Sequence, residues 1–166
     1  MRNKLLLLIA IILLPLCTSA YAETALGTLN VTATVISSCS IGGAGSLSFG
    51  SYDADGATDT TANTGTSIQV TCNGDTTWSM FSTESDVTKI MQNTSVAQPH
   101  ADYQLSYTLY TDAAMTIPLA VTNTTGTITG TGTGSAQNAV IYGKIAKGQA
   151  VFTGTYAQTI NLTLVY

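Results

Sequence analysis

Apolar and polar positions alternate with a period of two in several stretches of this chain. In Thr28–Cys39, Leu29, Val31, Ala33 and Val35 fall on one face and Asn30, Thr32 and Thr34 on the other. Such alternation predicts a half-buried β-strand. The same rhythm returns at Ile68, Val70 and Cys72 within Thr66–Asn73, and in Thr76–Ser82, which carries Trp78 and Met80. It returns again at Tyr103, Leu105, Tyr107 and Leu109, in Val140–Ile145, and at Ile160, Leu162, Leu164 and Tyr166 in the closing stretch Tyr156–Tyr166. Leu47–Tyr52 is a shorter run, and Ile117–Val121 reads as an edge strand because Pro118 cannot donate to a ladder. Between these runs, Asp53–Gly65, Glu84–His100 and Ala146–Thr153 read as loops, with at most one helical turn in the second. Asn73-Gly74 is a strong turn signal. No long segment carries helical periodicity. Many short strands with turns between them predict one all-β domain built as a sandwich.

An alternating strand therefore stands near each end of the chain. A terminal strand of this kind either pairs within its own domain or leaves it to pair with another chain. The pattern alone leaves both open.

The start of the chain has a different character. Arg2 and Lys4 precede the aliphatic run Leu5–Leu16, and Ala20-Tyr21-Ala22 is an A-x-A cleavage site. These features predict a signal peptide over 1–22 and a mature chain beginning at Glu23. The apolar run is short for a permanent anchor. Leu16 is bulky where a lipoprotein signal before Cys17 needs a small residue. Cleavage would leave Lys89, Lys144 and Lys147 against nine acidic residues, a net charge of −6. Three scattered cations make no basic patch, which argues against nucleic acid and anionic membrane as partners.

Cys39 and Cys72 remain after cleavage, and in an exported chain an even pair reads as a disulfide. The competing metal reading is weak, because two isolated cysteines and one distant histidine cannot fill a tetrahedral shell. His100, the single histidine, sits beside Pro99 with no marked serine or aspartate partner. Asp53, Asp55 and Asp59 lack the glycine and glutamate of a calcium loop. Gly130, Gly132 and Gly134 in the Thr/Gly tract Thr124–Ser135 are followed by no lysine, so a phosphate loop is excluded. Trp78 and the tyrosines fit a sugar platform or, alternating in strands, a core. The expectation is a protein with no catalytic site, no metal and no cofactor.

Taken together, the runs resemble the spore coat protein U family, which includes pilins of archaic chaperone–usher pili. The resemblance rests on the early alternating strand leading into Cys39, on Leu47-Ser48-Phe49-Gly50-Ser51-Tyr52, and on Val70-Thr71-Cys72-Asn73-Gly74. It continues through Tyr107-Thr108-Leu109-Tyr110-Thr111-Asp112, Val140-Ile141-Tyr142-Gly143-Lys144-Ile145, Gly148-Gln149 and the ending 154–166. The Thr/Gly tract departs from the pattern, which leaves the form of that loop open.

The resemblance implies an immunoglobulin-like sandwich lacking its last strand. The groove so left would be filled first by a periplasmic chaperone and then by the N-terminal strand of the next subunit, delivered at an outer-membrane usher. Carried onto this chain, residues 23–37 become a donor segment with Leu29, Val31, Ala33 and Val35 as its inserted side chains. Residues 38–166 become the domain, with Ile160, Leu162, Leu164 and Tyr166 on the acceptor strand. The function implied is a non-enzymatic subunit of a surface pilus or coat, polymerised head to tail and serving adhesion or biofilm. A monomeric secreted carbohydrate-binding module, holding sugar with Trp78 and exposed tyrosines, is the alternative.

Overall fold

The computed structural model describes residues 22–43, 45–95 and 101–166. The signal-peptide expectation, apart from Ala22, and the Pro99–His100 pair lie outside the described residues.

The chain divides into two compact units, Met1–Thr34 and Val35–Tyr166. The described part of the first unit, residues 22–34, forms no strand and is exposed throughout. The predicted strand Thr28–Cys39 is therefore corrected: strand geometry begins only at Cys39. The alternation of Leu29, Val31, Ala33 and Val35 is real, but no described strand supplies a ladder for residues 28–37, and backbone pairing reaches Ser38 only through the N–H of Asn73 just past β2.

The second unit is all-β, with two sheets facing each other in an immunoglobulin-like sandwich. Its strands are β1 (Cys39–Gly42), β2 (Thr60–Cys72), β3 (Thr77–Ser82), β4 (Thr88–Asn93), β5 (Gln104–Tyr110), β6 (Ile128–Thr131), β7 (Ala136–Ile145), β8 (Tyr156–Ala157) and β9 (Leu162–Val165). The larger sheet has the order β1-β2-β7-β5-β4-β8, and the smaller has β6-β3-β9. All its ladders are antiparallel. The inward residues of both sheets form one core, centred on Ile68, Val70, Met80, Leu109, Ile141 and Ile145. Trp78 is buried within it, 5 % exposed, and its indole N–H donates to Gln137 Oε1 at 3.4 Å.

Further loop and strand expectations need correction. β2 starts at Thr60, inside the expected loop 53–65, because Thr60, Thr61 and Ala62 pair with Ile145, Lys144 and Gly143 of β7. The ladder then slips between Ala62 and Thr66, where Gly65 takes the left-handed conformation (φ 65°) that a side chain would resist. β4 lies inside the expected loop 84–100. Ile117–Val121 forms no strand, only a single bridge from Pro118 to Tyr110. The closing run 156–166 is two strands in different sheets, and residues 158–161 carry the chain between them.

Leu47–Tyr52 also forms no strand; it crosses the inner face of the larger sheet. Leu47 and Phe49 come so close to Gly143 of β7 that a Cβ there would sit 2.6–2.8 Å from their side chains. Cys39 and Cys72 face each other in the β1–β2 ladder and are joined by a disulfide. Closing a loop of 33 residues stabilises by about 3–4 kcal/mol in the chain-entropy treatment.

Candidate functional site

The smaller sheet ends at β9. Its residues pair with β3 on one side, Leu162 with Ser82 and Leu164 with Met80, and no described strand pairs with the other side. An open edge beside a buried face is an unusual feature in an exported domain, because its backbone groups and the apolar side chains behind it both lack cover.

A groove of about 630 Å³ lies along the segment 156–161 and meets β9 at its first residue, Leu162. Ile160 and Leu162 form one wall, Leu47 and Phe49 the other, and Ile68 and Ile141 lie in the floor. No charged side chain lines it. The walls come from unlike elements: one is the segment 158–162 crossing between sheets, the other the irregular run held against Gly143. Such a slot accepts a neutral, extended, alternating segment and disfavours an ionic one.

One end of the slot is fixed by a polar cluster. Glu84 accepts the backbone N–H of Asn161 at 3.0 Å, and Thr83 N–H donates to Asn161 O at 3.1 Å. The Ser82 hydroxyl donates to Glu84, and the Lys89 ammonium lies 4.0 Å from the same carboxylate while donating to Asp86 O. Burial by itself raises the Glu84 pKa, but the hydrogen bonds from Asn161, Ser82 and its own amide, with the Lys89 charge, hold the carboxyl below its usual range. Burial lowers Lys89, and the Glu84 and Asp86 charges oppose that shift without cancelling it. The Tyr107 hydroxyl donates to Gln158 Oε1 at 3.0 Å, and burial, aided by the Glu84 charge, pushes its pKa to about 12.

Of the residues expected on the acceptor strand, Ile160, Leu162 and Leu164 are half-buried against the core. Tyr166 is 58 % exposed, past the end of β9. The expected donor residues Leu29, Val31 and Val35 are 86 %, 82 % and 86 % exposed, and Ala33 is exposed as well. Sequence reasoning missed Leu47 and Phe49 as a groove wall, and it missed Glu84 as the fixture of β9. The apolar pair was visible in the sequence, but its position against Gly143 was not. Glu84 gave no signal, since its role depends on a backbone amide 77 residues away.

The carbohydrate alternative loses Trp78, which is buried in the core. Among the described residues no cluster of acidic, histidine or cysteine side chains is arranged to hold a metal. Asp59 instead accepts Lys147 N–H at 3.1 Å and pairs with Lys144 at 3.8 Å.

A family model described as Spore Coat Protein U domain matches residues 25–163. No curated protein matches the chain.

Proposed function

The chain belongs to the Spore Coat Protein U domain family, and on that premise we propose that it is a structural subunit of a surface pilus assembled by donor-strand exchange. The single observation that carries the reading is a complementarity of unlike surfaces. An exposed, alternating arm and an uncharged groove with apolar walls, meeting an open strand edge at Leu162, occur in one chain. From Thr24 to Ser38 the arm has no charged residue, which suits the uncharged slot.

In this reading Leu29, Val31, Ala33 and Val35 of one subunit enter the groove of another and the arm backbone adds a strand beside β9. Burying each of the three larger side chains is worth about 1.5–3 kcal/mol, and the ladder adds to that. Donor and acceptor surfaces differ, so the contact does not close on itself and propagates into a fibre. An open strand edge beside apolar groove walls needs cover before assembly, a role for a periplasmic chaperone, with an outer-membrane usher as the site of exchange. The protein would then travel through the periplasm to the cell surface, as part of a fimbria or coat serving adhesion.

The test is an unheated SDS gel of the mature protein released from cells, beside a heated sample and a chain lacking residues 23–36. A ladder that collapses on heating and vanishes with the deletion supports the proposal. A single monomer band in all lanes, with the deleted chain soluble, overturns it.

A further inference from the structure

The arm is not simply loose at its root. Asn73 N–H donates to Ser38 O at 3.0 Å, continuing the β1–β2 ladder one pair beyond Cys39 and Cys72. The Asn73 side chain then replaces the strand that turns away at this point. Its Oδ1 accepts Ser38 N–H at 3.0 Å and its Nδ2 donates to Ile36 O at 2.9 Å. Asn73 is itself held: the Thr76 hydroxyl donates to Oδ1 at 2.6 Å, and Asp75 N–H and Thr76 O bond Gly132 at 3.0 and 2.7 Å. The fixture is thus a turn bonded to the β6–β7 connection, with a disulfide one residue away.

We infer that Asn73 is a positioning residue that fixes Ile36–Ser38, the root of the arm, beside the end of β2 and so disfavours insertion of the arm into its own groove relative to insertion into a second copy. The inference rests on the donor-strand reading. Polarity supplies the argument. Val165 pairs with Ser79 near the start of β3, which follows the Asn73 turn directly, so β9 runs toward the end of the sandwich that holds Asn73. An arm rooted at Ser38 that turned back along its own β9 would have to reverse next to the bonds that hold Ile36 and Ser38, and would run parallel to β9. An arm from a second copy needs no such reversal and can run antiparallel, the slightly stronger pairing. The clamp therefore opposes a closed monomer and favours the polymer.

The mature, oxidised chain is unfolded, refolded at several concentrations, and read on unheated gels, with amide exchange followed at Ser38. Wild type is expected to give the ladder and a protected Ser38 amide. Asn73→Ala should raise the ratio of compact, heat-sensitive monomer to ladder about tenfold, with faster exchange at Ser38. Asn73→Asp keeps the acceptor for Ser38 and loses the donor to Ile36, so it should shift the ratio the same way by less; it also serves if the alanine variant fails to fold. An unchanged ratio in a variant that folds overturns the inference. A ladder that persists without residues 23–36 overturns instead the donor-strand reading beneath it.

Discussion

The Glu84 carboxylate accepts the backbone N–H of Asn161 at 3.0 Å, tying the loop after β3 to the residue that precedes β9. The acceptor wall of the groove is therefore held by a charge-assisted bond, stronger than a neutral one. Because Glu84 is held below the usual carboxylate range, its contribution is fully present above that range. It is lost as pH falls through the lowered value. Glu84→Gln should remove this part of the acid sensitivity, read as a smaller loss of denaturant midpoint between pH 7 and pH 3 than in wild type. It should also quicken amide exchange at Asn161.

Tyr107 predicts the opposite limb. Its hydroxyl is pushed to about 12 in the fold, while an unfolded tyrosine ionises near 10. A group with a raised folded pKa contributes stability that is full below pH 10 and is lost as pH rises toward 12. Tyr107→Phe should lose stability more slowly than wild type over that interval, measured by urea titration at each pH. At neutral pH it should cost about 1 kcal/mol through the missing bond to Gln158.

Gly143 tests the other wall. Adding a Cβ brings it within 2.6–2.8 Å of the Phe49 and Leu47 side chains, so Gly143→Ala must move both of them. The expected cost is about 1–3 kcal/mol in thermal or denaturant unfolding. The same variant should show weaker polymerisation at equal folded fraction, because the displaced side chains of Leu47 and Phe49 are one side of the slot.

Much of this fold was legible because apolar alternation is a direct record of burial. Ile68, Val70 and Cys72, Trp78 and Met80, and Leu105, Tyr107 and Leu109 all point inward as their parity predicts. β4 was hidden because its inward positions are Lys89, Met91 and Asn93, two of them polar. Lys89 is satisfied by Asp86 O and Glu84, and Asn93 by Ser95 N–H and Thr153 O, so burial there leaves no hydrophobic trace. The start of β2 was hidden among small polar residues with only Ala62 buried. The break at 158–161 was invisible for another reason: the apolar parity of Ile160, Leu162 and Leu164 is unbroken there, while the chain changes sheets.

The arm teaches the converse. Its alternation is as regular as that of any strand, yet residues 28–38 form none. Periodicity reports a face built for burial; it does not report which chain supplies the partner.

The most direct measurement is a titration of the domain lacking residues 23–36 with a synthetic peptide of residues 24–38, followed by calorimetry and thermal unfolding. The account predicts one-to-one binding and a clear rise in melting temperature, abolished when Val31 of the peptide is replaced by Asp. A folded domain that neither binds the peptide nor gains stability from it would contradict the central claim.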